Sequence, residues 1–239
     1  MSECAIEFTG LVKTFGGSRV LDGLDLAVPE GEAVALVGVN GAGKTTCIKT
    51  LLDFVVPEQG DVRIFGRDHR DPVARGPLAF LPERFLPPFH LTGQEFLDYA
   101  MRLNGLSPDP GRVSEVVRDL DLAQEALTRP ARTYSKGMAQ KLGLAAALLS
   151  GKPLLVLDEP MSGLDPKARA LAKRRLLALR RAGQTLFFST HVLMDVASVC
   201  DRMAVLHRGK VRFFGSPAEC REAFGGDDLE QAYLNCIED

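Results

Sequence analysis

Residues 38–46 read Gly38-Val39-Asn40-Gly41-Ala42-Gly43-Lys44-Thr45-Thr46, directly after the aliphatic run Ala33–Val37. The spacing is G-x-x-x-x-G-K-[ST], and each part of that pattern has a physical purpose. Glycines let backbone N–H groups turn inward without Cβ clashes. A helix starting after them presents its positive end to an anion. Lys44 is placed to neutralise β- and γ-phosphates, and the Thr45 hydroxyl to ligate Mg²⁺. In a chain of 239 residues a chance match is about a 1% event at ordinary glycine content. A buried strand, this loop and a following helix together predict an α/β phosphate-binding fold.

The natural second half of such a site lies downstream. Leu154-Leu155-Val156-Leu157-Asp158-Glu159 delivers an acidic pair at the end of an apolar strand, the edge at which α/β sheets bind ligands. Asp158 suits Mg²⁺, through water, and Glu159 suits the polarising of an attacking water. Without the loop this pattern would be weak, since many buried strands end on acids.

Around these two segments, strand-like runs alternate with longer helical patterns, predicting a mainly parallel core sheet. The opening third differs: Ala5–Phe15, Val20–Val28 and Asp61–Phe65 read as a small antiparallel sheet. From about Pro82 to Ser150 the pattern is almost wholly helical, with a capping box at Thr92 and Glu95. Asp165-Pro166 reads as a helix start, Gly183 as its end, Gln184–Ser189 as a strand, His191–Cys200 as a helix and Met203–Phe214 as a hairpin.

Composition narrows the function. Net charge is −2, with 46% hydrophobic and 25% charged residues, so no basic field points to nucleic acid. Lys173-Arg174-Arg175 and Arg180-Arg181 sit among Leu and Ala at helical spacing and read as a solvated helix face. No apolar run reaches the roughly 18–20 residues that span a bilayer, and Met1-Ser2-Glu3-Cys4 lacks the pattern of a signal peptide. Five widely spaced cysteines without a C-x-x-C suit reduced thiols in the cytosol.

Three further segments, in order, complete a resemblance to the nucleotide-binding subunits of ATP-binding-cassette (ABC) transporters. Tyr134-Ser135-Lys136-Gly137-Met138 resembles the family signature loop, Ser162-Gly163-Leu164-Asp165 the loop after the catalytic Glu, and His191 the switch histidine. The form of the signature, the Leu81-Pro82-Glu83 segment and the tail Asp228–Leu234 together resemble the drug-, sodium- and polysaccharide-exporter branch. The resemblance implies an ATP-binding domain over 6–231, with a helical insert at about 83–150 and a tail over 232–239.

It also implies an Mg²⁺-dependent ATPase. ATP would be held by Phe15, Gly38, Asn40, Gly41, Ala42, Gly43, Lys44, Thr45 and Thr46, with Asp165 also among the binding residues, and Ser135 and Gly137 would grip the γ-phosphate of ATP bound to a second subunit. Catalysis would fall to Glu159, His191 and Glu83, and Mg²⁺ to Thr45, Asp158 and Glu83. Glu83 departs from the family's usual Gln, bringing negative charge toward the γ-phosphate while remaining a hard oxygen ligand. The residues leave alternatives open: Ser135 and Gly137 as a plain helix start, His191 and Phe15 as core, the tail as an amphipathic helix. Implied partners are a separate transmembrane permease and a second ATP-binding subunit, most simply a second copy. The implied place is the cytoplasmic face of the cell membrane, bound through the permease. The rival reading is a non-transport ABC ATPase acting on DNA or ribosomes, whose long coiled-coil or zinc inserts have no counterpart here.

Overall fold

The computed structural model describes residues 3–238. Met1 and Ser2 of the opening segment and Asp239 of the expected tail lie outside the described residues. Strands β1 (Cys4–Phe15), β2 (Ser18–Pro29), β3 (Ala33–Val37), β4 (Gln59–Ile64), β5 (Arg67–Asp68), β6 (Leu78–Leu81), β7 (Leu154–Leu157), β8 (Thr185–Thr190), β9 (Arg202–His207) and β10 (Lys210–Gly215) make two sheets. The first, in the order β2-β1-β4-β5, is antiparallel throughout. The second runs β10-β9-β3-β8-β7-β6 and is parallel except for the β9–β10 hairpin. The protein is thus α/β, with a small antiparallel sheet beside a mainly parallel one.

Strand β3 explains how the two layers join. Its five residues are all buried, and their alternation divides them between two cores. Val34 and Leu36 pack with Ile48, Val62 and Phe187 on the side of the antiparallel sheet. Ala33, Ala35 and Val37 face the helical side with Leu186 and Phe188. In β8, Phe187 and Phe188 point to opposite faces and both are fully buried. Each contributes about 1.5–3 kcal/mol of apolar burial.

The helices are α1 (Lys44–Leu51), α2 (Gly93–Leu103), α3 (Pro110–Asp119), α4 (Lys136–Leu149), α5 (Pro166–Arg181), α6 (Leu193–Val199), α7 (Pro217–Phe224) and α8 (Leu229–Glu238). Their starts follow local chemistry. Thr92 and Glu95 form a reciprocal capping box at α2. Asp109 and Asp165 cap α3 and α5, each followed by Pro in the first turn. The Asp165 carboxyl accepts from Ala168 N at 2.9 Å, and this bond, with Lys141 nearby, holds it below the usual carboxylate range.

Three expectations change. Residues beyond 231 are not a separate tail: α8 crosses that boundary and buries Ala232, Tyr233 and Cys236 in the helical-side core. The cations of α5 form a solvated face only in part: Arg174 and Arg181 are exposed, whereas the others meet acids. Arg175 meets Asp119 and Glu115 of α3, Lys173 meets Asp195 of α6, and Arg180 meets Asp201. The helix expected from His191 begins at Leu193, leaving His191 on the loop before it. Among the described residues, no helix is long and apolar enough to cross a membrane.

Candidate functional site

Four parallel strands end at the same edge of the sheet. Register places Leu81 beside Leu157, Leu157 beside Phe188, and Val37 beside Thr190. The residues that follow, Glu83, Asp158, Glu159, His191 and the 38–46 loop, are thereby gathered by topology alone.

The loop needs its glycines for space. A Cβ at Gly38 would stand 2.5 Å from Leu206 O, and one at Gly43 would stand 2.7 Å from Val20 O. Gly43 also has φ +110°, a conformation other residues rarely adopt. Lys44 opens α1, yet its side chain turns back over the loop, donating to Gly38 O at 2.6 Å and to Val39 O at 3.4 Å. A buried ammonium held above the N-terminus of a helix is a ready counter-ion for phosphate.

Glu159 is held from three directions. Its Oε1 lies 3.5 Å from Lys44 Nζ and 3.0 Å from His191 Nδ1. Its N–H donates to Ser189 Oγ at 2.9 Å. It adopts φ +48°, the left-handed region, where a residue with a Cβ bears strain of about 1–3 kcal/mol and stays only because its surroundings hold it there. Ser189, fully buried on β8, also donates to Asp158 Oδ1. One hydroxyl therefore fixes both members of the acidic pair.

These groups face a cleft of about 450 Å³ lined by Val20, Val39, Asn40, Gly41, Gly43, Lys44, Thr45, Thr46, Glu83, Glu159 and His191. Gly38, Ala42 and Asp158 do not line it, and all three are buried. Phe15, Ser135, Gly137 and Asp165 do not line it. Phe15 is not a core residue: it is 48% exposed, with Lys13 Nζ 5.1 Å from its ring centroid. Ser135 caps α4, accepting from Met138 N at 3.2 Å. Nearby, a Cβ at Gly137 would stand 3.1 Å from Gly163 O, so the signature loop and the loop leading to Asp165 pack closely.

Three residues near the site had no place in the sequence reading. Val20 lines the cleft and Ser189 ties the acidic pair. Tyr233 of α8 is buried, which pushes its phenol up, against a lowering hydrogen bond with the Val39 backbone. The one signal for Ser189 was a hydroxyl near the end of an otherwise apolar strand. Nothing in the local sequence joins Tyr233 to the loop.

Comparisons with known proteins agree with this arrangement. A family model described as ABC transporter matches residues 21–162, more than half of the chain. An uncharacterized ABC transporter ATP-binding protein of Synechocystis is 40% identical over 88% of this chain and 60% of its own length. The daunorubicin/doxorubicin resistance ATP-binding protein DrrA of Streptomyces peucetius is 37% identical, over 94% of this chain and 69% of that protein. The Nod factor export ATP-binding protein I of a Rhizobium strain is also 37% identical, over 98% and 81%. This chain spans only about three fifths of the length of the first of these relatives. A solved ATP-binding subunit of an ABC transporter superposes with a TM-score of 0.84 at 30% identity, covering 97% of this chain and 99% of that one. With the family model, these relatives and the shared geometry in agreement, the chain belongs to the ABC transporter family as one of its ATP-binding domains.

Proposed function

We propose that this chain binds ATP with Mg²⁺ in the 450 Å³ cleft and hydrolyses it to ADP and phosphate, driving a membrane exporter. The observation that carries the reading is the placement of Glu159. Its buried carboxylate meets Lys44 and His191 at the mouth of a glycine loop that a Cβ would fill.

The donor set fits Mg²⁺. Thr45, Asp158 and Glu83 offer hard oxygens, with no thiolate among them. When held by these residues, the ion would supply positive charge that offsets the charge of the reacting phosphates. The chain's own residues do the remaining work. Lys44 exchanges its carbonyl partners for phosphate oxygens, and the loop N–H groups orient them. Released from Lys44, the Glu159 carboxylate accepts a hydrogen bond from water and orients it toward the γ-phosphorus. His191 holds that carboxylate from the other side and itself lines the cleft, within which it would meet the γ-phosphate. Fixed dipoles and charges of this kind supply most of the rate in phosphoryl transfer.

Ser135 and Gly137 lie outside the cleft of their own chain, and Ser135 is exposed. This supports a site completed by the signature loop of a second, head-to-tail copy. Exposed Leu86, Phe89, Tyr99 and Leu103 give residues 83–150 an apolar surface suited to a permease. Binding that closes two copies and hydrolysis that reopens them would turn each cycle into movement of that partner. Export is favoured by the relatives named for drug resistance and Nod factor export.

The test is the Glu159→Gln variant. Equilibrium ATP binding should persist while turnover falls by about 10²–10⁴-fold, the usual value of a positioned general base. Turnover near that of the wild type would remove Glu159 from the reaction.

A further inference from the structure

We propose that Asp195 is a positioning residue for ATP hydrolysis, clamping the segment that carries His191 to the helix that carries Asp165. The proposal rests on the ATPase reading above, but on different residues.

Asp195 is 1% exposed, and it is the only acidic residue of α6. Its carboxylate receives Arg169 through both Nε, at 3.1 Å, and an Nη, and lies 2.9 Å from Lys173 Nζ. Lys173 Nζ also donates to Met194 O at 3.3 Å. Both cations stand one turn apart on α5, which has no acidic residue of its own. The bidentate bond holds Arg169 more firmly protonated than usual, and the Glu159 charge adds to that effect. Arg169 therefore lies within the electrostatic reach of the proposed base.

The placement of this clamp along the chain is what matters. Asp195 follows His191 by four residues, and His191 Nδ1 is 3.0 Å from Glu159. Arg169 follows Asp165 by four residues, and its N–H donates to Asp165 O at 2.9 Å. The clamp therefore links two loops that leave neighbouring strands, one carrying the cleft-lining His191 and the other leading from Glu159 to Asp165. A buried carboxylate is costly unless fully paired. Here both cations come from one helix, so the paired geometry exists only when α5 and α6 keep this registration. If that registration slackens, His191 moves from Glu159 and Arg169 gains an uncompensated charge directed at the same carboxylate. Both changes act on turnover. Neither removes a group of the glycine loop or the Lys44 ammonium, which bind the phosphates in the ground state.

The experiment uses the full chain and Mg²⁺-ATP. Asp195→Asn keeps the volume and removes the charge, and Arg169→Gln and Lys173→Gln remove the partners at partly exposed positions that tolerate change. Turnover should fall about tenfold or more in Asp195→Asn and in Arg169→Gln, as displaced catalytic groups cost rate steeply. Equilibrium ATP affinity should stay within about twofold, the signature of a lost transition-state interaction. The double variant Asp195→Asn with Arg169→Gln should be no slower than the worse single, because both break one interaction. Asp195→Glu, which keeps the charge, should recover part of the rate. If Asp195→Asn does not fold, the two cation variants carry the same comparison. Turnover within twofold of wild type, or turnover and ATP affinity falling together in Arg169→Gln, would overturn the clamp. Glu159→Gln and His191→Ala, measured alongside, separate the two ideas. Their retention of turnover would defeat the ATPase reading, whereas their loss beside an active Asp195→Asn would defeat only the clamp.

Discussion

Removing one oxygen atom, in Ser189→Ala, tests how the acidic pair is held. The Ser189 hydroxyl is fully buried, accepts from Glu159 N at 2.9 Å and donates to Asp158 Oδ1. The neutral bond contributes about 0.5–1.5 kcal/mol and the bond to the carboxylate about 1.5–3. Their joint loss should cost about 3 kcal/mol, which for a chain of this size lowers Tm by about 6–12 °C. A further consequence is local. Glu159 sits at φ +48°, and without the bond to its N–H its strain has less to oppose it. Turnover should therefore fall along with Tm, while ATP affinity, set by the loop and Lys44, should change little. The assay is thermal unfolding of the nucleotide-free chain, with steady-state ATPase and equilibrium ATP binding on the same preparation. Ser198→Ala is the control: its hydroxyl is exposed and bonds only to Met194 O and Asp195 O, so Tm should move by no more than about 0.5 kcal/mol warrants. Ser189→Ala with unchanged Tm and turnover would show that the hydroxyl holds neither acid.

Lys44→Ala removes the buried counter-ion and should weaken ATP binding itself, as seen by titration; equal affinities would mean that phosphate is not cradled there. Gly43→Ala sets a Cβ 2.7 Å from Val20 O at φ +110°, so it should lose ATP binding even though Lys44 is intact, and normal binding would refute the need for close approach. Glu83→Gln should leave turnover comparable or raise it at ordinary Mg²⁺. A requirement for much higher Mg²⁺ would instead make the Glu83 carboxylate an essential ligand, as a Mg²⁺ titration of the rate will show.

What was legible in the chain follows from how far each signal reaches. The 38–46 loop and Leu154–Glu159 are local patterns, each a strand with the residues at its end, and the parallel register brings their ends together. Helix starts at Thr92 and Asp165 were legible for the same reason, since a cap acts within three residues. The role of Ser189 was not, because it depends on β8 lying beside β7. The cations of α5 look like a solvated stripe in sequence, yet the acids that meet Arg169, Lys173, Arg175 and Arg180 lie 21–60 positions away. Helical spacing identifies which residues share a face but not what opposes it. The boundary at 231 came from the family resemblance and not from a local pattern, and the fold carries α8 across it, burying Tyr233 against the core where it meets Val39.

The central claim is that each ATP is held by two copies, the Lys44 loop of one and the Ser135–Gly137 loop of the other. Mixing Lys44→Ala with Gly137→Asp tests it most directly, using differently tagged copies in the presence of the wild-type membrane partner. Each variant alone carries a fault in both sites of its dimer. A mixed dimer concentrates both faults in one site and leaves the other with an intact loop and an intact signature. Mixing should therefore restore ATPase activity, nucleotide-dependent pairing of the two tags, or both. Recovery of neither would contradict the shared site and leave Ser135 and Gly137 as the start of a helix.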